Sequence, residues 1–165
     1  MTSPSTSRVA GTAYLLYIAM GIASMAAPAQ LRSLLVTVMA FCAVTLGVTL
    51  YAITRHVDGE LSLLAMLCRV LEAGSATGEI YFAVGSTIFC FLLLKGRTIP
   101  AWLSWLGLLS SGGLVLQLSV QQAAGASTDW SSPVTWVIWF PLLIFEVTFA
   151  AVLLADRLAP PRSPA

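Results

Sequence analysis

The chain is a succession of apolar runs of about twenty residues separated by short polar links, and no other feature limits its fold as strongly. A helical run of that length matches the ~30 Å hydrocarbon core of a bilayer. Lipid offers the backbone no hydrogen bonds, so such runs close their own by becoming helices. Only 9% of the 165 residues are charged and 58% are hydrophobic, where roughly a quarter are charged in an ordinary soluble domain. The expectation is an all-α, polytopic membrane helix bundle, multi-pass in the cell membrane.

Six spans are expected, over residues 9–27, 34–53, 61–76, 79–94, 101–121 and 134–155. Residues 28–33 (PAQLRS) link the first two, and residues 54–60 (TRHVDGE) form the most polar connection. Arg8, an apolar run and then Ala27-Pro28-Ala29 imitate a signal peptide, but residues 9–26 exceed the apolar core of about 7 to 15 residues that such a peptide carries. An uncleaved first helix is the expectation. Residues 1–157 read as a single transmembrane domain and residues 158–165 as a short, proline-rich, disordered cytoplasmic tail.

Residues 61–94 are too few for two full-length spans of about 20 residues each. They form either one long tilted helix or two short ones with a hairpin at residues 74–78 (GSATG). Charge favours the hairpin. With six spans and both termini cytoplasmic, Arg8, Arg55, Lys95, Arg97, Arg157 and Arg162 share the inner side and Arg32 lies outside, as the positive-inside tendency requires. Trp102, Trp105, Trp130, Trp136 and Trp139 cluster near span ends, where interfacial tryptophans sit. Ala19, Ala23 and Ala27, and residues 110–113 (SSGG), mark expected helix contacts, because small residues let helices approach in lipid.

Against this background the sequence places charge where lipid is expected. Arg69 lies about eleven residues in from Asp58, roughly 16 Å along a helix, and Glu146 is about thirteen residues in from Pro133, so both reach mid-membrane. Glu72 is three residues from Arg69 and shares its helix face; Glu79 begins the next helix near the outer interface. An ionised side chain at the bilayer centre costs about 2.5 to 3.5 kcal/mol on insertion scales, so such groups face the bundle interior and pair. One arginine neutralises one carboxylate, and three are present, so at least one is expected to hold a proton or border water. Gln117 and Gln121 are four apart on the fifth span, and Tyr14, Tyr17 and Tyr81 are candidate proton donors or packing residues.

Other chemistries lack their residues. His56 is the sole histidine and lies in a polar link, which leaves no HExxH; GxGxxG, Walker and CxxC patterns are absent too. Cys42, Cys68 and Cys90 are scattered in apolar runs and read as small buried hydrophobes. No cofactor and no metal are expected. A net charge of +1 with one lysine makes no basic patch, so nucleic acid is not an expected partner. The expected partners are the lipid bilayer, a lipophilic small-molecule ligand and a second copy of the chain in a homo-oligomer.

Residues 8–21 (RVAGTAYLLYIAMG), 61–73 (LSLLAMLCRVLEA), 91–107 (FLLLKGRTIPAWLSWLG) and 141–154 (PLLIFEVTFAAVLL) together resemble a bacterial integral-membrane family catalogued as a domain of unknown function. The resemblance implies that Arg69, Glu72 and Glu146 hold the family's recurring polar positions. Members usually carry extra residues after the arginine-containing helix, where this chain has only residues 74–79 (GSATGE).

Three functions from different classes fit these residues. One is a membrane-embedded acid/base enzyme of isomerase, cyclase or hydratase type, with Glu72 or Glu146 as general acid and Arg69 as orienting cation, and with Glu79, Tyr81, Gln117 and Trp139 on the binding side. Another is a non-catalytic interaction or sensor module held by a structural ion pair. The third is a proton-coupled small-molecule transporter, although no repeat relates the two halves.

Overall fold

A computed structural model describes residues 4–75 and 77–158. It contains six α-helices: α1 (Pro4–Ala26), α2 (Ala29–Thr54), α3 (Gly59–Gly74), α4 (Gly78–Lys95), α5 (Ala101–Ala123) and α6 (Pro133–Leu154). All but α3 are long and apolar enough to cross a membrane. Residues 159–165 of the expected tail lie outside the described residues, whereas Leu158 packs against the core.

Each helix packs on its neighbours in sequence, and α6 returns to α1. The six therefore form a ring. Closure depends on Gly11, where a Cβ would stand 2.7 Å from Leu154 Cγ and 2.9 Å from the Ala150 carbonyl. Of the expected contact at Ala19, Ala23 and Ala27, only Ala27 is buried, while Ala19 and Ala23 are exposed. In the 110–113 stretch Gly112 and Gly113 have open space around them, and the contact is made by the buried Ser111, whose hydroxyl accepts from Thr87 of α4 at 3.0 Å. The closest approaches occur at single glycines facing a neighbouring helix, Gly11, Gly47 and Gly85, positions that a count of small residues every fourth place does not single out.

The surface is inverted relative to a water-soluble bundle. On α3, Leu63, Leu64, Leu67, Val70 and Leu71 are exposed while Ser62, Ala65, Cys68 and Arg69 are buried. Spacing of three and four places the second set on one helical face. Hydroxyls in α2 bond back to the preceding turn, as in Thr45 to Phe41 and Thr54 to Leu50, which satisfies them without solvent.

The expected link at residues 28–33 contracts to Ala27 and Pro28. Pro28 is extended at the N-cap of α2, and proline suits a helix start because its missing N–H would have been unpaired. Arg32 reaches back to the carbonyls of Ser24 (3.1 Å) and Ala27 (3.5 Å), closing the end of α1. Residues 61–94 form the helical hairpin α3–α4. Gly78 permits its tight turn, for a Cβ there would meet the Glu72 carbonyl at 2.7 Å. At the other end of the hairpin Asp58 caps α3 through the Leu61 N–H (3.2 Å) and meets Lys95 at 3.3 Å.

Burial is uneven along α2: its buried residues begin only at Cys42. The ring is tight at the end carrying residues 55–58 and opens into a cleft at the end where α3 finishes and α4 begins.

Candidate functional site

The cleft has two adjoining cavities of about 270 and 330 Å³. Tyr17, Val36, Met39, Glu79, Phe82 and Trp139 line both. Glu72 lines only the first and Glu146 only the second. Helices α1, α2, α4 and α6, with the end of α3 that carries Glu72, therefore wall one apolar space that carries three carboxyl groups.

Arg69 anchors the floor of the site and is 0% exposed. Two glycines press on its helix from opposite sides. A Cβ at Gly47 of α2 would stand 3.0 Å from Arg69 Cβ, and one at Gly85 of α4 would stand 3.0 Å from Cys68 Cβ. Arg69 Nη1 donates to Glu72 Oε2 at 2.7 Å, and Tyr17 Oη donates to Glu72 Oε1 at 2.6 Å. The guanidinium carbon lies 4.9 Å from the centroid of Phe82 and 5.5 Å from that of Tyr17, within cation–π range. Rings on α1 and α4 thus hold an ion pair made within α3.

Their shared mid-membrane depth would allow Arg69 and Glu146 to meet. The arginine's ion pair is with Glu72 instead, because three residues on one helix fix both depth and direction, whereas equal depth on two helices leaves direction open. Glu146 is 6% exposed, and its Oε1 is buried with no hydrogen-bond partner among the described residues. Arg69 Nε and Nη2 are orphaned in the same sense. Glu146, Arg69 and the buried Tyr14 are near enough to interact electrostatically.

An aromatic ladder rises from this floor towards the open end. Tyr17 and Phe82 are nearly parallel at 6.1 Å, Phe82 and Trp139 at 5.9 Å, and Trp139 meets Trp130 at 4.9 Å. Trp139 therefore turns inward, with its buried Nε1 unpartnered among the described residues, while Trp102 and Trp105 remain exposed.

Other candidates lie farther from the floor. Glu79 is exposed at the mouth and accepts from Thr128 Oγ1 at 2.6 Å. Tyr81 follows Glu79 by two residues and precedes Phe82, so the 100° step of a helix rotates it out of both cavities. Gln117 belongs to α5, which supplies no wall of either cavity, and its Oε1 is buried without a partner among the described residues. Gln121 lines a separate recess of about 360 Å³ with Glu79 and Thr128. Phe82 and Met39 line the cleft without having been singled out in sequence. Nothing marks them there, since α4 is apolar around its whole circumference and α2 nearly so.

Fold and site together define an all-α bundle with membrane-competent helices around a polar-floored, aromatic cleft. The chain matches no family model, no curated protein and no solved structure.

Proposed function

We propose that the chain is a membrane-embedded acid/base enzyme in which Glu146 exchanges a proton with a lipophilic small molecule held in the cleft. The observation that carries this reading is Glu146 itself: a buried carboxyl with an orphaned oxygen, lining an apolar cavity. A buried acceptor without a partner is costly, and a ligand's polar group would complete it. Glu72 is already engaged by Arg69 and Tyr17, so its role is to hold the arginine's charge. Trp139 Nε1 can only donate, which suits an oxygen at the far end of the ligand.

The chemistry needs no co-reactant. Glu146 gives its proton to an unsaturated carbon or a carbonyl oxygen, leaving a cation beside a carboxylate. Loss of a proton from a neighbouring carbon back to Glu146 completes an isomerisation or a cyclisation. The aromatic ring faces stabilise the intermediate cation, and favouring that state over the bound starting material is what accelerates a reaction.

The same proposal includes six membrane crossings with both ends cytoplasmic. The Asp58–Lys95 contact supports a return crossing by α4, and Arg8, Arg55, Lys95, Arg97 and Arg157 on one side with Arg32 on the other supports the orientation.

A second reading is favoured by the self-sufficient Tyr17–Glu72–Arg69 cluster: a structural fastening in a non-catalytic module. The discriminating experiment exposes wild type and Glu146→Gln to a lipophilic cell extract. Native mass spectrometry in mild detergent then identifies what is retained, and chromatography separates isomers of the released molecule. We expect a small non-lipid ligand in wild type, recovered as two isomers, and loss or lack of conversion in the variant. Lipid alone in both would establish the fastening and end the enzyme reading.

A further inference from the structure

We infer that the cleft selects positive charge: the cation formed by proton transfer, and any stable lipophilic organic cation that mimics it, such as an ammonium or phosphonium, is held between Glu146 and Glu79 with its apolar body along the aromatic ladder. The inference rests on the proposed proton exchange at Glu146, since a molecule protonated there becomes such a cation.

The charge inventory comes first. The two cavities are lined by Glu72, Glu79 and Glu146, and by no lysine, arginine or histidine among the described residues. Arg69 lies beneath them, paired with Glu72 at 2.7 Å. That leaves Glu79 and Glu146 outside any ion pair among the described residues, with Arg69 close enough to Glu146 to act on it electrostatically but already bonded to Glu72. Among the described residues, Glu79 is bonded by a neutral threonine hydroxyl, and Glu146 has a buried oxygen with no hydrogen-bond partner.

The walls give the second argument. Tyr17, Phe82, Trp130 and Trp139 form a continuous ladder, and ring faces attract cations and repel anions. A carboxyl floor under aromatic walls is complementary to a greasy cation, mismatched to an anion, and indifferent to a neutral hydrocarbon. The cation left by proton transfer and a permanently charged mimic should occupy the same place.

The test uses labelled tetraphenylphosphonium as probe, with tetraphenylborate and tetraphenylmethane as competitors of similar shape and opposite or no charge. Binding is measured on the purified full chain in a non-ionic detergent. Expected is saturable phosphonium binding that neither competitor displaces, weakened about tenfold or more by Glu146→Gln, by several fold in Glu79→Gln, and unchanged in Glu60→Gln at the opposite, tight end. Glu79 is exposed at a helix start, so its variant keeps the test valid should Glu146→Gln misfold, with helicity and gel-filtration behaviour as the check. Absence of saturable binding, displacement by either competitor, or binding that survives both substitutions would overturn the inference. A neutral ligand found by mass spectrometry alongside any of these results would leave the proton-exchange reading standing without the charge selectivity.

Discussion

Arg69 and Glu72 occupy one helix, so their ion pair alone joins nothing to anything else. The joining is done by Tyr17, whose hydroxyl bonds Glu72 from α1 and whose ring, with Phe82 from α4, covers the guanidinium. Removing one member of a buried pair strands the other. Glu72→Gln is therefore expected to lose roughly 3 to 5 kcal/mol of stability, read as a fall in the thermal midpoint in detergent. Adding Arg69→Met should recover most of it, because deleting both charges leaves none unpaired. No recovery in the double variant would show that the arginine has a further partner. At this scale the sequence displays the i, i+3 pair and the depth of Glu146 openly. It hides the orphaned oxygen of Glu146 and the bracketing rings, because those depend on rotation about helices whose apolar residues mark no preferred face.

Among the elements, α3 is the shortest and the most exactingly placed, wedged between Gly47 and Gly85 and fixed at its start by Asp58. The Leu61 backbone N–H, and then the Lys95 ammonium, hold the Asp58 carboxyl below the usual carboxylate range. A carboxyl depressed in the folded state contributes stability above its unfolded value, about 3.9, and loses that contribution as pH falls through the lower folded value. Asp58→Ala should therefore lower the thermal midpoint at pH 7, and the gap to wild type should narrow as pH falls below about 4. A gap that stays constant down to pH 2 would show that Asp58 acts by something other than its charge. Helix number and most boundaries were legible from the lengths of apolar runs and from Pro, Gly and charged punctuation. The start of α2 was not, because a polar string such as residues 28–33 reads as a loop until Arg32 is seen folding back onto α1.

For the whole molecule, the ring of six helices and the cleft at one end were beyond reach of the sequence, since pairing between α1 and α6 joins residues more than a hundred positions apart. The two polar ends of the hairpin frame a topological test. In a cysteine-free background, His56→Cys and Ser127→Cys place thiols in exposed links between α2 and α3 and between α5 and α6. With six crossings the two sites face opposite sides, so an impermeant maleimide on intact cells should label the second and leave the first until lysis. Identical labelling would mean that the α3–α4 hairpin does not cross twice.

The ladder at the cleft also makes the protein an optical instrument for its own ligand. Three of its five tryptophans, Trp130, Trp136 and Trp139, line the larger cavity, while Trp102 and Trp105 stand on the outer surface of α5. Occupancy is thus written into the emission of the first three and spares the last two, which supply a built-in baseline without any added dye.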